Sequence, residues 1–241
     1  NAKTVYIHKI TYDKHTGKTS VSSELKEINS SIKTDKKVGS IVKKWQTILV
    51  SKIKNVIKQP NEVIFDAKTP LDGRDTPIRS MQTNLGQVIT KAMSFVFEDQ
   101  VDCALVNGGS IRIDDQLSGP ITAVDIFRVL PYGGGVLKVG IKGRLLEQVL
   151  NYGVNVRGQG AYLHRFNAYK VGDQWMIKNK ALILNKTYTV AISDYLLKGL
   201  DIPFLTFDNK DITFVFQPKI NELAYDIRKV VINYLKKTKF K

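Results

Sequence analysis

Hydrophobic positions along the chain recur with two distinct periods. Residues 5–12 (Val-Tyr-Ile-His-Lys-Ile-Thr-Tyr) have strand character, Asp13 to Lys18 supply turn chemistry, and a strand-like run resumes from Thr19 to Leu25. This predicts a β-hairpin standing apart from the rest of the chain. A lone hairpin is marginal in water, so it is expected to pack on another element. Thr34-Asp35 then starts a helix. Val38, Ile41, Val42, Trp45, Ile48, Leu49, Ile53 and Val56 recur at helical spacing with lysines opposite, until Gln59-Pro60-Asn61 ends the run. Such a basic amphipathic helix suits a membrane surface, but a stripe this regular is expected to dock on the chain's own core.

Beyond Val63-Ile64-Phe65, residues Lys68 to Arg79 read as a polar loop. Thr83 is the expected N-cap of a helix whose buried stripe is Leu85, Val88, Ile89, Ala92, Met93 and Val96. Val101 to Val106 is a short, nearly all-apolar strand ending at Asn107-Gly108-Gly109. Thr122 to Val129 reads as a short helix and Pro131 to Gly135 as a glycine-rich corner. Val136 to Ile141 alternates as a strand and turns at Lys142-Gly143 into a helix over Leu145, Leu146, Val149 and Leu150. Strands are expected near Tyr188 to Ile192 and Ile212 to Phe216, and the last helix over Leu223, Ile227, Val230, Val231 and Leu235. The irregular alternation predicts an α+β (mixed α/β) fold: a layered mixed-sheet domain with flanking helices over 34–241, preceded by a hairpin and linker at 1–33, rather than a doubly wound sheet.

Composition changes this picture in two places. At 241 residues, 43% hydrophobic and 24% charged, the chain can bury a substantial core and is not of disordered type. No apolar run approaches the roughly 18 residues of a membrane span. No h-region follows Asn1 to Thr4, although a cleaved leader would leave the same start. The net charge of +15 predicts attraction to anions: nucleotides, nucleic acid or an acidic membrane surface. Much of that charge is lysine spread over helix faces, between Lys33 and Lys58 and from Lys236 onward, which also reads as a solvated surface. The single cysteine, Cys103, forms no internal disulfide and is expected to be a small buried hydrophobe.

Three segments carry candidate chemistry. Arg74 and Arg79 precede Thr83-Asn84-Leu85-Gly86 at a helix start, where guanidinium groups beside free backbone N–H groups make an anion site. Pairing with Asp72 or Asp75 is the competing reading. Asn107-Gly108-Gly109-Ser110-Ile111-Arg112 follows directly on a buried strand. Paired glycines there let backbone approach a ligand, Asn107 both donates and accepts hydrogen bonds, and Arg112 can grip a phosphate bidentately. A tight turn would use the same glycines. Leu130-Pro131-Tyr132-Gly133-Gly134-Gly135 holds an aromatic on a loop suited to stacking on a base or sugar, or else packs the ring in the core with its hydroxyl outward. With His8, His15 and His164 as the only histidines, no Gly-Asn-His run, and the one Asp-x-His (Asp13-Lys14-His15) inside the predicted turn, the sequence holds no ligand set for a di-metal phosphoesterase. Asp114-Asp115 is expected to be turn chemistry.

In order along the chain stand Gln82-Thr83-Asn84-Leu85-Gly86, Ala92-Met93, Ala104 to Arg112 (ALVNGGSIR), Gly119-Pro120-Ile121-Thr122, Leu130 to Gly134 (LPYGG) and Val139 to Gly143. Together they resemble the C-terminal, substrate-binding domain of the 5'-nucleotidase and UDP-sugar-hydrolase family, from about Asp35 to Phe216. Residues 1–33 resemble the final hairpin and linker of that family's metallophosphoesterase domain. The resemblance implies a lid-like domain that binds a nucleotide or nucleoside. Two divalent metals of the Zn, Mn or Co type would be held by the metallophosphoesterase domain, in the same or a partner chain, and none in this one. It also implies a periplasmic, secreted or cell-surface location.

Carried over by position, the resemblance assigns Arg79 and Arg112 to the phosphate and Asn107 to a ligand hydrogen bond, with Gly109 beside it. Tyr132 stands where the family has phenylalanine, as one jaw of a clamp on the base. Phe204 is the best match to the second jaw, with Phe207 as runner-up, and Asp208 matches the ribose-binding carboxylate. Arg74 is one residue out of register with a second family arginine, and Asn167 stands near a family glycine. The competing expectations are a basic module that binds nucleic acid through its lysine faces, and a non-catalytic scaffold that keeps the fold.

Overall fold

The computed structural model describes residues 4–56 and 58–238. It divides into two compact units, residues 1–52 and 53–241. The first holds the predicted hairpin, strands β1 (Thr4–Tyr12) and β2 (Thr19–Glu27), paired antiparallel from Thr4↔Glu27 to Tyr12↔Thr19. Asp13 closes the turn by accepting from the backbone N–H of His15 and Thr16. Every residue of both strands is exposed. Helix α1 (Lys36–Val56) follows, with Asp35 accepting from the Val38 N–H at its start. Its stripe is not covered as the sequence predicts: Val38, Ile41, Val42, Trp45 and Leu49 are exposed, and among its described side chains only Ile53 is buried. Period alone reports that a helix has an apolar face and does not say what covers it.

The second unit is built on a five-stranded mixed sheet. In chain order its elements are β3 (Val63–Asp72), α2 (Asp75–Ile78), α3 (Asn84–Phe95), β4 (Cys103–Asn107), β5 (Gln116–Thr122), α4 (Ala123–Val129), β6 (Val136–Lys142) and α5 (Gly143–Asn155). Then come β7 (Leu163–Phe166), β8 (Ala168–Val171), β9 (Gln174–Ile177), β10 (Lys180–Ala181), β11 (Thr187–Ser193), β12 (Ile212–Phe216) and α6 (Ile227–Thr238). The central sheet has the order β12-β6-β11-β4-β7. β4 and β11 run parallel, while the other three pairs are antiparallel.

Alternation along these strands sorts side chains into two cores, one on each sheet face. Ala104, Val106 and Ala191 face a core shared with Leu85, Ile89 and Met93 of α3 and with Val230, Val231 and Leu235 of α6. Cys103, Leu105, Val190, Ile192, Val139 and Ile141 face the other, with Leu146, Val149 and Leu150 of α5 and with Trp175. Cys103 is fully buried, and desolvation pushes its thiol well above the ordinary range, so it behaves as a hydrophobe. No helix among the described residues is long and apolar enough to cross a membrane.

Several local expectations change. The stretch read as a polar loop from Lys68 to Arg79 continues β3 as far as Asp72, and α2 occupies the rest. β3 pairs antiparallel with β5, a strand whose Gly119-Pro120 obscured its pattern, and bulges break the register between Val63 and Phe65 and between Ala67 and Leu71. Leu223 lies in a separate 3-10 turn (Leu223–Tyr225) ahead of α6. The three-stranded sheet β10-β9-β8 had no predicted counterpart.

Candidate nucleotide-binding site

The β4–β11 pair places the site. Because these neighbours run in the same direction, their C-terminal ends meet at one edge of the sheet, and the loops beyond them face a common opening. A cavity of about 510 Å³ lies there, lined by Arg79, Asn107, Arg112, Tyr132, Tyr195 and Asp201 among others.

Each of these side chains is held by its own local chemistry. Arg79 follows α2, and its segment is tied to β7 and to the loop that precedes it. The ring of His164 hydrogen-bonds the Ile78 carbonyl through Nε2 at 2.8 Å. The Gln82 amide both donates to the Arg165 carbonyl (2.9 Å) and accepts from the Arg165 N–H (3.0 Å). The Gly158 N–H donates to the Arg79 carbonyl at 2.8 Å. β7 in turn pairs with β4 in the register Val106↔His164 and Asn107↔Leu163, so the Arg79 loop is set beside Asn107. At Gly108 the close approach excludes any side chain, since a Cβ would lie 2.3 Å from the Ile78 carbonyl oxygen. The Arg79 side chain is mostly buried, and its Nε donates to Asp75 at 2.7 Å.

Arg112 is placed by its backbone N–H, which donates to the Val129 carbonyl at the end of α4 (2.9 Å). That contact brings it to the corner carrying Tyr132, and its guanidinium carbon lies 6.0 Å from the Tyr132 ring centroid. The Tyr132 ring is 74% exposed and open to a stacking partner. Behind it Gly134, at φ +93°, accepts from the Ile227 N–H, while the Gly135 carbonyl accepts from the Asp194 N–H. The corner is thereby fastened both to α6 and to the end of β11. No carboxylate pairs with Arg112 among the described residues, so its charge faces the cavity unneutralised.

Asn107, 2% exposed, is the polar centre. Its Nδ2 donates to Asp201 at 2.6 Å and its Oδ1 accepts from the Ser110 hydroxyl at 2.5 Å. Asp201 also accepts from the Tyr195 hydroxyl at 3.3 Å. Burial, followed by the Asp201 carboxylate, holds the Tyr195 phenol above its ordinary pKa, which keeps it a donor. Lys198 lines the same cavity, and its ammonium has no ion-pair partner among the described residues.

Arg79, Asn107, Gly109, Arg112 and Tyr132 therefore share one cavity. The other candidates named from the sequence lie elsewhere. Phe204 packs edge-on against Tyr152, with centroids 5.7 Å apart, on the core that contains α5. Phe207 is exposed and lines a neighbouring cavity. Asp208 is exposed, its carboxyl held low by the Thr206 hydroxyl. Asn167, at φ +58°, makes the corner between β7 and β8. Arg74 forms a bidentate pair with Asp72 at 2.9 and 2.7 Å. Asp114, at φ +45°, accepts from the Asp75 N–H and serves the turn. Sequence reasoning missed Tyr195 and Asp201. Both stand in the loop after β11, upstream of the Phe204 and Phe207 that the resemblance singled out.

A family model described as 5'-nucleotidase, C-terminal domain, matches residues 63–208. Endonuclease YhcR of Bacillus subtilis (strain 168) is 28% identical over 174 residues, covering 69% of this chain and 13% of that protein. The 5'-nucleotidase of Homo sapiens is 30% identical over 144 residues, covering 55% of this chain and 24% of that protein. The crystal structure of a 5'-nucleotidase precursor from Thermus thermophilus shares the fold, with a TM-score of 0.78 at 21% identity, over 98% of this chain and 47% of that one. The chain thus spans about a quarter or less of these two curated relatives. The matched segment covers more than half of the chain, from β3 to the loop after β11 and including Arg79, Asn107, Arg112, Tyr132, Tyr195 and Asp201, so the protein belongs to the 5'-nucleotidase C-terminal domain family.

Proposed function

We propose that this chain is the nucleotide-recognition part of a 5'-nucleotidase-type phosphohydrolase, acting on a nucleoside monophosphate or a UDP-sugar. In this reading the Arg79 and Arg112 guanidiniums hold the phosphate. Asn107, kept rigid by Ser110 and Asp201, hydrogen-bonds the ligand. Tyr132 stacks on the base, and Tyr195 takes the second-jaw place that the resemblance gave to Phe204. The supporting observation is that Arg79, Asn107, Arg112 and Tyr132, from three separate loops, line a single cavity. Charge-assisted hydrogen bonds contribute about 1.5–3 kcal/mol each, and stacking on the order of 1–3 kcal/mol. Phosphate contacts then dominate affinity, and several bases are tolerated.

No group of three or more His, Cys, Asp or Glu that could hold a metal lies among the described residues. His164 is buried, with Nε2 committed to a backbone carbonyl. The described residues do not fit a di-metal centre. The two divalent metals and the hydroxide that attacks phosphorus are assigned instead to a metallophosphoesterase domain, and a periplasmic, secreted or cell-surface location belongs to the same proposal. Titrating AMP and UMP against the wild type, Arg112→Ala and Tyr132→Ala tests the reading. Each variant is expected to bind on the order of tenfold more weakly, and unchanged affinity in both refutes it.

A further inference from the structure

The cavity does not end at Tyr132. A second one, of about 440 Å³, adjoins it, and the two share Gly134, Asp194 and Lys198 in their walls. Its own lining includes two half-exposed rings, Phe207 and Tyr225, each 47% exposed, together with Pro218. Open aromatic faces beside a proline make a platform for a planar ring.

The charges of the second cavity differ in availability. Arg228 is occupied: its Nε and Nη2 donate to Asp226 at 2.9 and 2.7 Å, and its guanidinium carbon lies 4.4 Å from the Phe127 ring centroid. Lys198, by contrast, has an exposed ammonium with no hydrogen bond or ion pair among the described residues, and it stands on the wall common to both cavities. The order along the surface is therefore ring platform, free cation, ring platform, with Arg112 and Arg79 lining the first cavity. Asp194, also on the common wall, is the opposing charge. A carboxylate there accepts from sugar hydroxyls, and it disfavours a bare anion that has no ribose attached.

We infer that the two cavities form one extended site for a 5'-phosphorylated dinucleotide, the end of a phosphodiester-linked strand. Its terminal phosphate lies on Arg79 and Arg112, and its first base on Tyr132. Its bridging phosphate lies at Lys198, and its second base against Phe207 and Tyr225. The inference rests on the proposed reading of the first cavity and extends it from mononucleotides to short strands. The sequence's net charge of +15 favours the approach of such a polyanion without fixing where it binds.

The experiment is a calorimetric titration of the chain with AMP and with the 5'-phosphorylated diadenylate, with saturation-transfer NMR reporting which rings touch protein. The dinucleotide is expected to bind on the order of tenfold more tightly than AMP, with both adenines in contact. Tyr225→Ala, a substitution of a half-exposed ring, is expected to remove that advantage and leave AMP affinity unchanged. Equal affinity for the two ligands, or a dinucleotide advantage that survives Tyr225→Ala, overturns the extended site while leaving the first cavity's reading intact. AMP affinity unchanged in both Arg112→Ala and Tyr132→Ala overturns the first cavity's reading and the extended site together. If long DNA competes equally well against wild type and Tyr225→Ala, binding runs through the lysine faces, and the extended site is again overturned.

Discussion

His164 makes the chain's stability depend on pH in a calculable direction. The ring is fully buried, and its Nε2 lies 2.8 Å from the Ile78 carbonyl oxygen. A carbonyl only accepts, so Nε2 carries the proton, and Nδ1 is left without a hydrogen-bond partner. Burial, more strongly than the nearby Arg165 charge, lowers the pKa from 6.5 to about 4. The sign follows from proton counts. Between about 4 and 6.5 the unfolded chain binds a proton at this ring and the folded chain does not, so stability is fully present above 6.5 and falls as pH drops through that window. At about 1.4 kcal/mol per pH unit, the displacement corresponds to about 3 kcal/mol. That is a large share of the roughly 5–15 kcal/mol typical of a domain. Carboxylates add their own acid sensitivity, so the quantity to read is the difference between wild type and His164→Gln, whose amide still donates to Ile78 without titrating. Urea unfolding at intervals from about pH 7.5 to 4.5 is expected to show the wild type losing about 2–3 kcal/mol more than the variant. Parallel profiles refute the reasoning. So does an NMR titration of the His164 ring in the folded wild type with a midpoint near 6.5, a readout that does not require the variant to fold.

Three further substitutions follow from the contacts around the cavity. Gly108→Ala drives a Cβ to 2.3 Å from the Ile78 carbonyl oxygen, so it is expected to destabilise by about 1–3 kcal/mol and to weaken AMP binding through the displaced Arg79; urea unfolding and calorimetry read the two effects. Asp201→Ala removes the acceptor of the buried Asn107 Nδ2, at an expected cost of about 1–3 kcal/mol, measured by thermal unfolding. Thr83→Ala removes the side-chain cap on the Gly86 N–H, for about 1 kcal/mol lost in urea unfolding.

Much of this architecture is legible wherever period and local signals agree. Thr83 caps α3 as its position predicts, accepting from the Gly86 N–H, and the apolar run ending at Val106 is buried in the middle of the sheet. Legibility fails where pairing overrides pattern. β3 resumes beyond the register break at Lys68 to Pro70 because Leu71 and Asp72 pair with β5, and β5 is itself interrupted by Gly119 and Pro120. The same limit divides the cavity residues. Arg79, Asn107, Arg112 and Tyr132 stand in compact local motifs, so each could be named from its own neighbours. Tyr195 and Asp201 owe their place to β11 lying parallel beside β4, a contact between segments far apart in sequence that no local window contains. Phe204 shows the converse: it fits an aromatic position in the pattern, yet the chain turns it against Tyr152.

The same parallel pair accounts for the charge balance of the opening. An edge made only of antiparallel hairpins would return each strand to its neighbour through a short turn and leave little room for converging side chains. Here two strands end together, and long excursions leave from both ends. One excursion carries Arg112 and Tyr132, and the other carries Tyr195, Lys198 and Asp201. Of the cations that result, Arg79 is already paired with Asp75, whereas Arg112 and Lys198 are unpaired among the described residues. Of the carboxylates, Asp201 is occupied by Asn107 and Tyr195, which leaves Asp194 against Arg112 and Lys198. Free positive charge therefore exceeds free negative charge at the opening, beside exposed rings. That combination favours an anion bearing a planar group over a cation.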